Sequence, residues 1–269
     1  MIPPIVDRAW LARHPEAVLA DVRYYLDGRS AAEAYAAGHV PGAVRVDMDT
    51  VLADPPSAEA GRHPLPAPER FAAGLAAAGV GDGATVVAYD DAGGAMAGRL
   101  VWLLRMLGED AALLDGGLRA WDGELSAEEP EPTQARFSPR PWPDGALATI
   151  DEAATGECVI DARAGERYRG ETEPIDPRAG HIPGARNLPL TGNLAPDGRF
   201  LAPDQVRARF ADIDDAAAVI SYCGSGITAC HNLIALEHAG LGRGRLYPGS
   251  WSQYSSTDRP AAVGDEPVR

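Results

Sequence analysis

Three consecutive stretches decide the fold: residues 216–222, Ala-Ala-Ala-Val-Ile-Ser-Tyr; then Cys223-Gly224-Ser225-Gly226-Ile227-Thr228-Ala229; then residues 230–239. The first is an apolar run that reads as a buried strand, and the last reads as a helix. Between them a cysteine stands on a short Gly/Ser loop. Loop amides converge at such a turn, and the following helix N-terminus adds roughly half a positive charge. Both favour thiolate over thiol and can cradle an anion bound above it. The plainer alternative is a buried core cysteine ahead of a glycine-rich turn.

Outward from this loop, the chain repeats itself. Ala20-Asp21-Val22-Arg23 returns as Ile160-Asp161-Ala162-Arg163, and Gly38-His39-Val40-Pro41-Gly42-Ala43 returns as Gly180-His181-Ile182-Pro183-Gly184-Ala185. Val86-Val87-Ala88-Tyr89-Asp90 returns as Val219-Ile220-Ser221-Tyr222-Cys223, and Leu114-Asp115-Gly116-Gly117 as Tyr247-Pro248-Gly249-Ser250. The order is kept, and the offsets run from 133 (86 to 219) to 142 (38 to 180). That period is domain-sized, far longer than a solenoid repeat. The expected division is 1–125, a 126–148 linker, and 149–269. The linker contains Glu128-Glu129-Pro130-Glu131-Pro132 and Pro139-Arg140-Pro141-Trp142-Pro143, and such proline density opposes helix and central strand. It is expected to run extended over the domain junction.

Within each half, short apolar runs alternate with helical patterns. Strands are expected at 18–21, 43–46, 85–89 and 111–114, then at 158–161, 185–188, 217–222 and 245–247. Helices are expected at 71–78, 95–107, 203–210 and 227–239. Alternation of this kind implies an α/β fold with a mainly parallel sheet flanked by helices in each half. Ligands bind such sheets at the carboxyl ends of strands, where Cys223 falls. In the first half Asp90 takes its place, so one loop has a thiol and the other does not.

Composition narrows the function. A net charge of -15 argues against a nucleic-acid or anionic-membrane binder. No apolar run approaches the roughly 20 residues that span a bilayer. Met1-Ile2-Pro3-Pro4 offers no basic segment with an apolar core, so a cytoplasmic chain without a leader is expected. Three cysteines (Cys158, Cys223, Cys230) suit a reducing compartment better than a disulfide framework, and none has zinc-site spacing. Cysteine-dependent phosphatases need an arginine six residues after the nucleophile; here that position is Ala229.

These blocks together resemble the two-domain rhodanese-like sulfurtransferases over nearly the whole chain. The resemblance implies two α/β domains, the first inactive and the second catalytic. Cys-Gly-Ser-Gly followed by Ile-Thr-Ala-Cys is similar to the 3-mercaptopyruvate branch, whereas the thiosulfate branch carries basic residues where Gly224 and Ser225 stand. It implies transfer of sulfur from 3-mercaptopyruvate to a thiol, cyanide or thioredoxin through a Cys223 persulfide, with no metal or organic cofactor. The alternatives are a thiosulfate sulfurtransferase and a non-catalytic binding module. By the same resemblance Arg167 and Arg178 bind substrate, and Ser225 works with His63 and Asp49 as a proton relay; Asp47 or Asp54 are the other acids in reach. Gly224, Gly226, Ile227 and Thr228 are expected to bind substrate as the loop around the sulfur, with Thr228 expected to cap the helix or bond within the loop. His39, His181, the repeated Asp-x-Arg pairs and Arg169 read as structural, Trp251 as packing, and Cys158 and Cys230 as buried core.

Overall fold

The computed structural model describes residues 1–131 and 133–265; Pro132 of the expected linker and the last four residues of the expected second domain lie outside them. The chain forms two compact units. Unit 1 is Met1–Asp54, Pro66–Trp142 and Leu194–Phe200; unit 2 is Pro55–Leu65, Pro143–Asn193 and Leu201–Arg269.

Unit 1 runs β1 (Ile5–Val6), α1 (Arg8–Arg13), β2 (Val18–Asp21), α2 (Ala31–Ala37), β3 (Val44–Arg45), α3 (Pro68–Ala77), β4 (Val86–Tyr89), α4 (Ala97–Met106) and β5 (Ala111–Leu114). Its strands lie in the order β1-β5-β4-β2-β3, and every pairing is parallel. The central strand β4 is buried along its whole length, as a parallel strand covered on both faces must be. Residues 97–105 of α4 are buried as well. The proline-rich segment up to Trp142 belongs to this unit. Phe137 meets Phe71 edge to face, and the Trp142 indole N–H donates to the Pro66 carbonyl at 2.8 Å.

Unit 2 runs α5 (Ile150–Thr155), β6 (Cys158–Asp161), α6 (Gly165–Tyr168), β7 (Arg186–Asn187), α7 (Pro203–Arg209), β8 (Val219–Tyr222), α8 (Ala229–His238), β9 (Arg245–Leu246) and α9 (Ser250–Tyr254). Its sheet order, β7-β6-β8-β9, is that of β3-β2-β4-β5 in unit 1. A single parallel bridge from Leu147 to Leu246 stands where β1 would add its strand. The core includes Ile182, Tyr222, Tyr247 and Trp251.

The repeated blocks perform the same work in both units. Asp21 and Asp161, each at a strand end, hold Arg23 and Arg163 through paired N–H bonds. Those arginines reach the carbonyls of Gly38 and Gly180. His39 and His181 are fully buried and stack on Tyr35 and Tyr168. These residues build the connection that follows α2 in unit 1 and α6 in unit 2.

Candidate active site

Strand β8 ends at Tyr222, and the chain enters the loop at Cys223. Residues 221–227 are all buried, so the thiol is desolvated on a segment rich in main-chain donors. The Gly226 N–H donates to Cys223 Sγ at 3.1 Å; Gly226 has φ +78, a left-handed conformation that glycine adopts without penalty. The Cys230 thiol donates to the Gly226 carbonyl at 3.3 Å and so orients that peptide from the first turn of α8. Ile227 is buried, and its carbonyl accepts from the Cys230 N–H. Thr228 precedes α8, but its side chain makes no capping bond. The expected cap is therefore absent, because the loop enters the helix in a helical conformation already at Thr228.

A second segment braces the nucleophile. The Cys223 N–H donates to Ser250 Oγ at 3.2 Å. The N–H groups of Trp251 and Ser252 donate to the carbonyls of Cys223 and Gly224 at 2.9 and 2.8 Å. Trp251 is fully buried, with its indole N–H on the Arg178 carbonyl, in a packing role.

The 55–65 segment brings His63 into unit 2. His63 Nδ1 and Ser225 Oγ share a hydrogen bond of 2.7 Å, and both residues are buried. The expected Ser225–His63 pair is thus formed, across a sequence separation of 162 residues. The segment is held by Arg62 N–H on Ser252 Oγ, 3.0 Å. Gly61 has no room for a side chain, since a Cβ there would lie 2.7 Å from the Gly249 carbonyl oxygen.

Two guanidinium groups flank Gly224. A Cβ on Gly224 would lie 3.0 Å from Arg62 Nη2 and 3.4 Å from Arg167 Nη1. Both arginines are gripped from behind by buried carboxylates. Arg167 Nη2 bonds Glu173 at 2.5 Å and Asp176 at 3.2 Å. Arg62 pairs with the other oxygen of Asp176, and Glu173 also meets Arg163, which Asp161 holds. Three arginines thus alternate with three carboxylates. Buried charges persist when paired in this way, and the pairing fixes the planes of the forks.

Arg178 is placed differently. Its Nε, Nη1 and Nη2 donate to the carbonyls of Ser255, Arg259 and Tyr254 at 2.8, 2.9 and 3.1 Å. Its charge closes the C-terminal end of α9, where the last carbonyls lack helical partners. Arg178 is expected from sequence to bind substrate, and here its guanidinium nitrogens are taken up by main-chain carbonyls. Arg62 stands beside the loop instead. It was not singled out from sequence, although it directly precedes the His63 that was.

Among the three acids, Asp47 caps the turn 48–52 and pairs with Arg45, and Asp54 pairs with Arg70. Asp49 belongs to unit 1; its carboxyl accepts from Tyr24, while burial and then the charge of Asp47 push it above the ordinary carboxylate range. Cys158 also departs from expectation. It is partly exposed, and the Arg186 guanidinium lies 3.2 Å from its sulfur.

The matching loop of unit 1 shows what this turn does with an anion. Asp90, fully buried, accepts N–H bonds from Ala92, Gly94, Met96 and Ala97 at 2.7–2.9 Å. Burial pushes its carboxyl up, and the four amides oppose that. Both oxygens are occupied as acceptors, so the loop's donors are satisfied internally.

Among the described residues no cluster has the makings of a metal site, and no helix is long and apolar enough to cross a membrane. Comparison with known proteins agrees with the repeat. The rhodanese-like domain model matches residues 7–124 and again 144–257. A Pseudomonas aeruginosa protein named a probable 3-mercaptopyruvate sulfurtransferase is 44% identical, covering 93% of this chain and 94% of its own. A Mycobacterium tuberculosis protein with the provisional name thiosulfate sulfurtransferase SseB is 38% identical, covering 94% of this chain and 93% of its own. The solved structure of 3-mercaptopyruvate sulfurtransferase from Leishmania major superposes with a TM-score of 0.85 at 35% identity, covering 95% of this chain and 75% of that one. Two matched domains, one holding a buried cysteine at its strand end and the other an aspartate, place the chain in the rhodanese-like domain family.

Proposed function

We propose that the protein is a sulfurtransferase that takes sulfur from 3-mercaptopyruvate through a persulfide on Cys223. The observation that carries this reading is the Cys223 loop itself: a buried thiol accepting an amide hydrogen, a Ser225–His63 pair two residues on, and the Arg62 and Arg167 guanidiniums against Gly224. The names of the Pseudomonas aeruginosa and Leishmania major relatives support the choice of donor.

The step balances as follows. The Cys223 thiolate attacks the donor sulfur, and the S–S bond forms as the donor's C–S bond breaks. The C–S electron pair moves onto carbon as the pyruvate enolate. The proton of the donor thiol ends on that carbon, leaving pyruvate and the anionic persulfide. In this reading Ser225 and His63 relay this proton from the donor sulfur towards the enolate carbon. The loop amides hold the outer sulfur as those of unit 1 hold Asp90. Arg62 and Arg167 meet the donor carboxylate with planar, charge-assisted bonds. A small thiol, cyanide or a thioredoxin-type dithiol then removes the sulfur and restores the thiolate. The three free thiols suit a reducing, cytoplasmic setting.

Steady-state rates with 3-mercaptopyruvate and thiosulfate, against a common acceptor, test the reading. Mercaptopyruvate is expected to lead by at least tenfold in kcat/KM, a difference of about 1.4 kcal/mol. A tenfold lead for thiosulfate would establish the second reading, to which the Mycobacterium tuberculosis relative's name points. Absence of transfer from either donor would leave a binding module.

A further inference from the structure

The two units carry the same turn after the strand beside the central one. In unit 1 it ends at Gly117, with φ +53; in unit 2 it ends at Ser250, with φ +52. The next N–H reaches back in the same way, from Leu118 to the Asp90 carbonyl at 2.8 Å and from Trp251 to the Cys223 carbonyl at 2.9 Å. Glycine accepts this left-handed conformation freely, whereas a residue with a Cβ is disfavoured there. Among the described residues Ser250 is the one non-glycine residue with a positive φ.

Unit 1 could not hold a side chain at this position, since a Cβ on Gly117 would lie 2.4 Å from the Asp90 carbonyl oxygen. Unit 2 accommodates one and uses it. Ser250 is fully buried. Its hydroxyl accepts the Cys223 N–H and donates to the Tyr247 carbonyl at 2.9 Å. That hydroxyl satisfies a buried main-chain donor that must find a partner and ties the nucleophile to the end of β9. Backbone strain held in place by surrounding contacts is a pointer to function. Here the unit with a thiol to aim bears the strain, and the unit without one has glycine.

We propose that Ser250 is a positioning residue for sulfur transfer: its strained backbone is kept because its hydroxyl fixes the Cys223 main chain and thereby the direction of Sγ. This rests on the reading of Cys223 as the sulfur carrier, but it is tested with a probe that does not depend on the donor. Ser250→Gly relieves the backbone and removes the hydroxyl; Ser250→Ala keeps the strain and removes the hydroxyl. Each is measured for the rate of Cys223 alkylation by iodoacetamide across pH, for Tm, and for kcat and KM with 3-mercaptopyruvate. Both variants are expected to lower kcat about three- to tenfold, the worth of one hydrogen bond, at unchanged KM, and to displace the alkylation pH profile. Ser250→Gly should be at least as stable as Ser250→Ala. Should the alanine variant fail to fold, the glycine variant decides. A Ser250→Gly protein with the parent's alkylation profile and kcat would overturn the proposal. A parent enzyme whose thiol alkylates normally but takes no sulfur from mercaptopyruvate would instead count against the donor assignment.

Discussion

At the scale of the residue, the site is a matter of what holds each charged or reactive atom. Arg62 and Arg167 lean on Glu173 and Asp176 from one side and face Gly224 on the other. Charge-assisted hydrogen bonds are worth about 1.5–3 kcal/mol. Arg62→Ala and Arg167→Ala are therefore each expected to raise KM for mercaptopyruvate by roughly ten- to a hundredfold. Arg178→Ala should leave KM unchanged and lower Tm, because its guanidinium closes a helix end. Steady-state kinetics beside a melting curve separates the three; a KM rise for Arg178→Ala with unchanged Tm would reverse the assignment. Cys223, Ser225 and His63 were legible because their residue types announce their chemistry. The surroundings of Arg62 and Arg178 were not legible, because an arginine's partner depends on where its long side chain is led. The sequence does not show that Arg178 meets three carbonyls 76 to 81 residues away.

At the scale of the element, the central strands and the helices after them were legible to within two residues at either end. Val18–Asp21, Ala111–Leu114 and Cys158–Asp161 have the expected bounds, since each is an apolar run buried in a parallel sheet. The strand expected at 217–222 starts instead at Val219, because the Asp215 side chain accepts the Ala217 N–H and holds a turn over 216–218. Short helices escaped notice. Helix α2 has no long periodicity, although Ser30 caps it on the Glu33 N–H. Helix α5 is six residues long and rests on its capping box, Thr149 with Glu152. The Thr149 N–H, then Arg245, then the Thr149 hydroxyl pull the Glu152 carboxyl from near 4.5 down to about 2. A carboxylate with a depressed folded-state pKa stabilises above its unfolded value and loses that contribution as pH falls toward the folded value. Glu152→Gln is therefore expected to melt below the parent at neutral pH, with the gap closing between about pH 4.5 and pH 2. Calorimetry across that window checks it; a gap independent of pH would contradict it.

At the scale of the whole molecule, one fold is used twice with one difference at the strand end. Four repeated blocks made the duplication readable, and with it the contrast of Asp90 with Cys223. The composition of the units was not readable. Residues 55–65 and 194–200 each belong with the other half of the sequence, and neither carries a periodic signal; their place is set by bonds such as Phe200 N–H to Asp115 at 2.8 Å. Unit 1 keeps a carboxylate in its loop where unit 2 has Cys223. Asp90→Ala leaves four N–H groups without their acceptor, those of Gly94 and Ala97 buried and those of Ala92 and Met96 part-buried; a buried one costs about 1–3 kcal/mol when unsatisfied. The variant is expected to lose several degrees of Tm or more, while Cys223 in any folded fraction still accepts sulfur. A stable, fully active Asp90→Ala protein would show that the carboxylate has no such role.

The central claim is that a single sulfur passes through Cys223. Mass spectrometry of the protein after brief exposure to 3-mercaptopyruvate tests it directly. The peptide carrying Cys223 should gain the mass of one sulfur atom and lose it when cyanide or a small thiol is added, and Cys223→Ser should gain nothing. Turnover by a parent protein whose Cys223 never carries sulfur, or sulfur found on Cys158 or Cys230 in its place, would contradict the account.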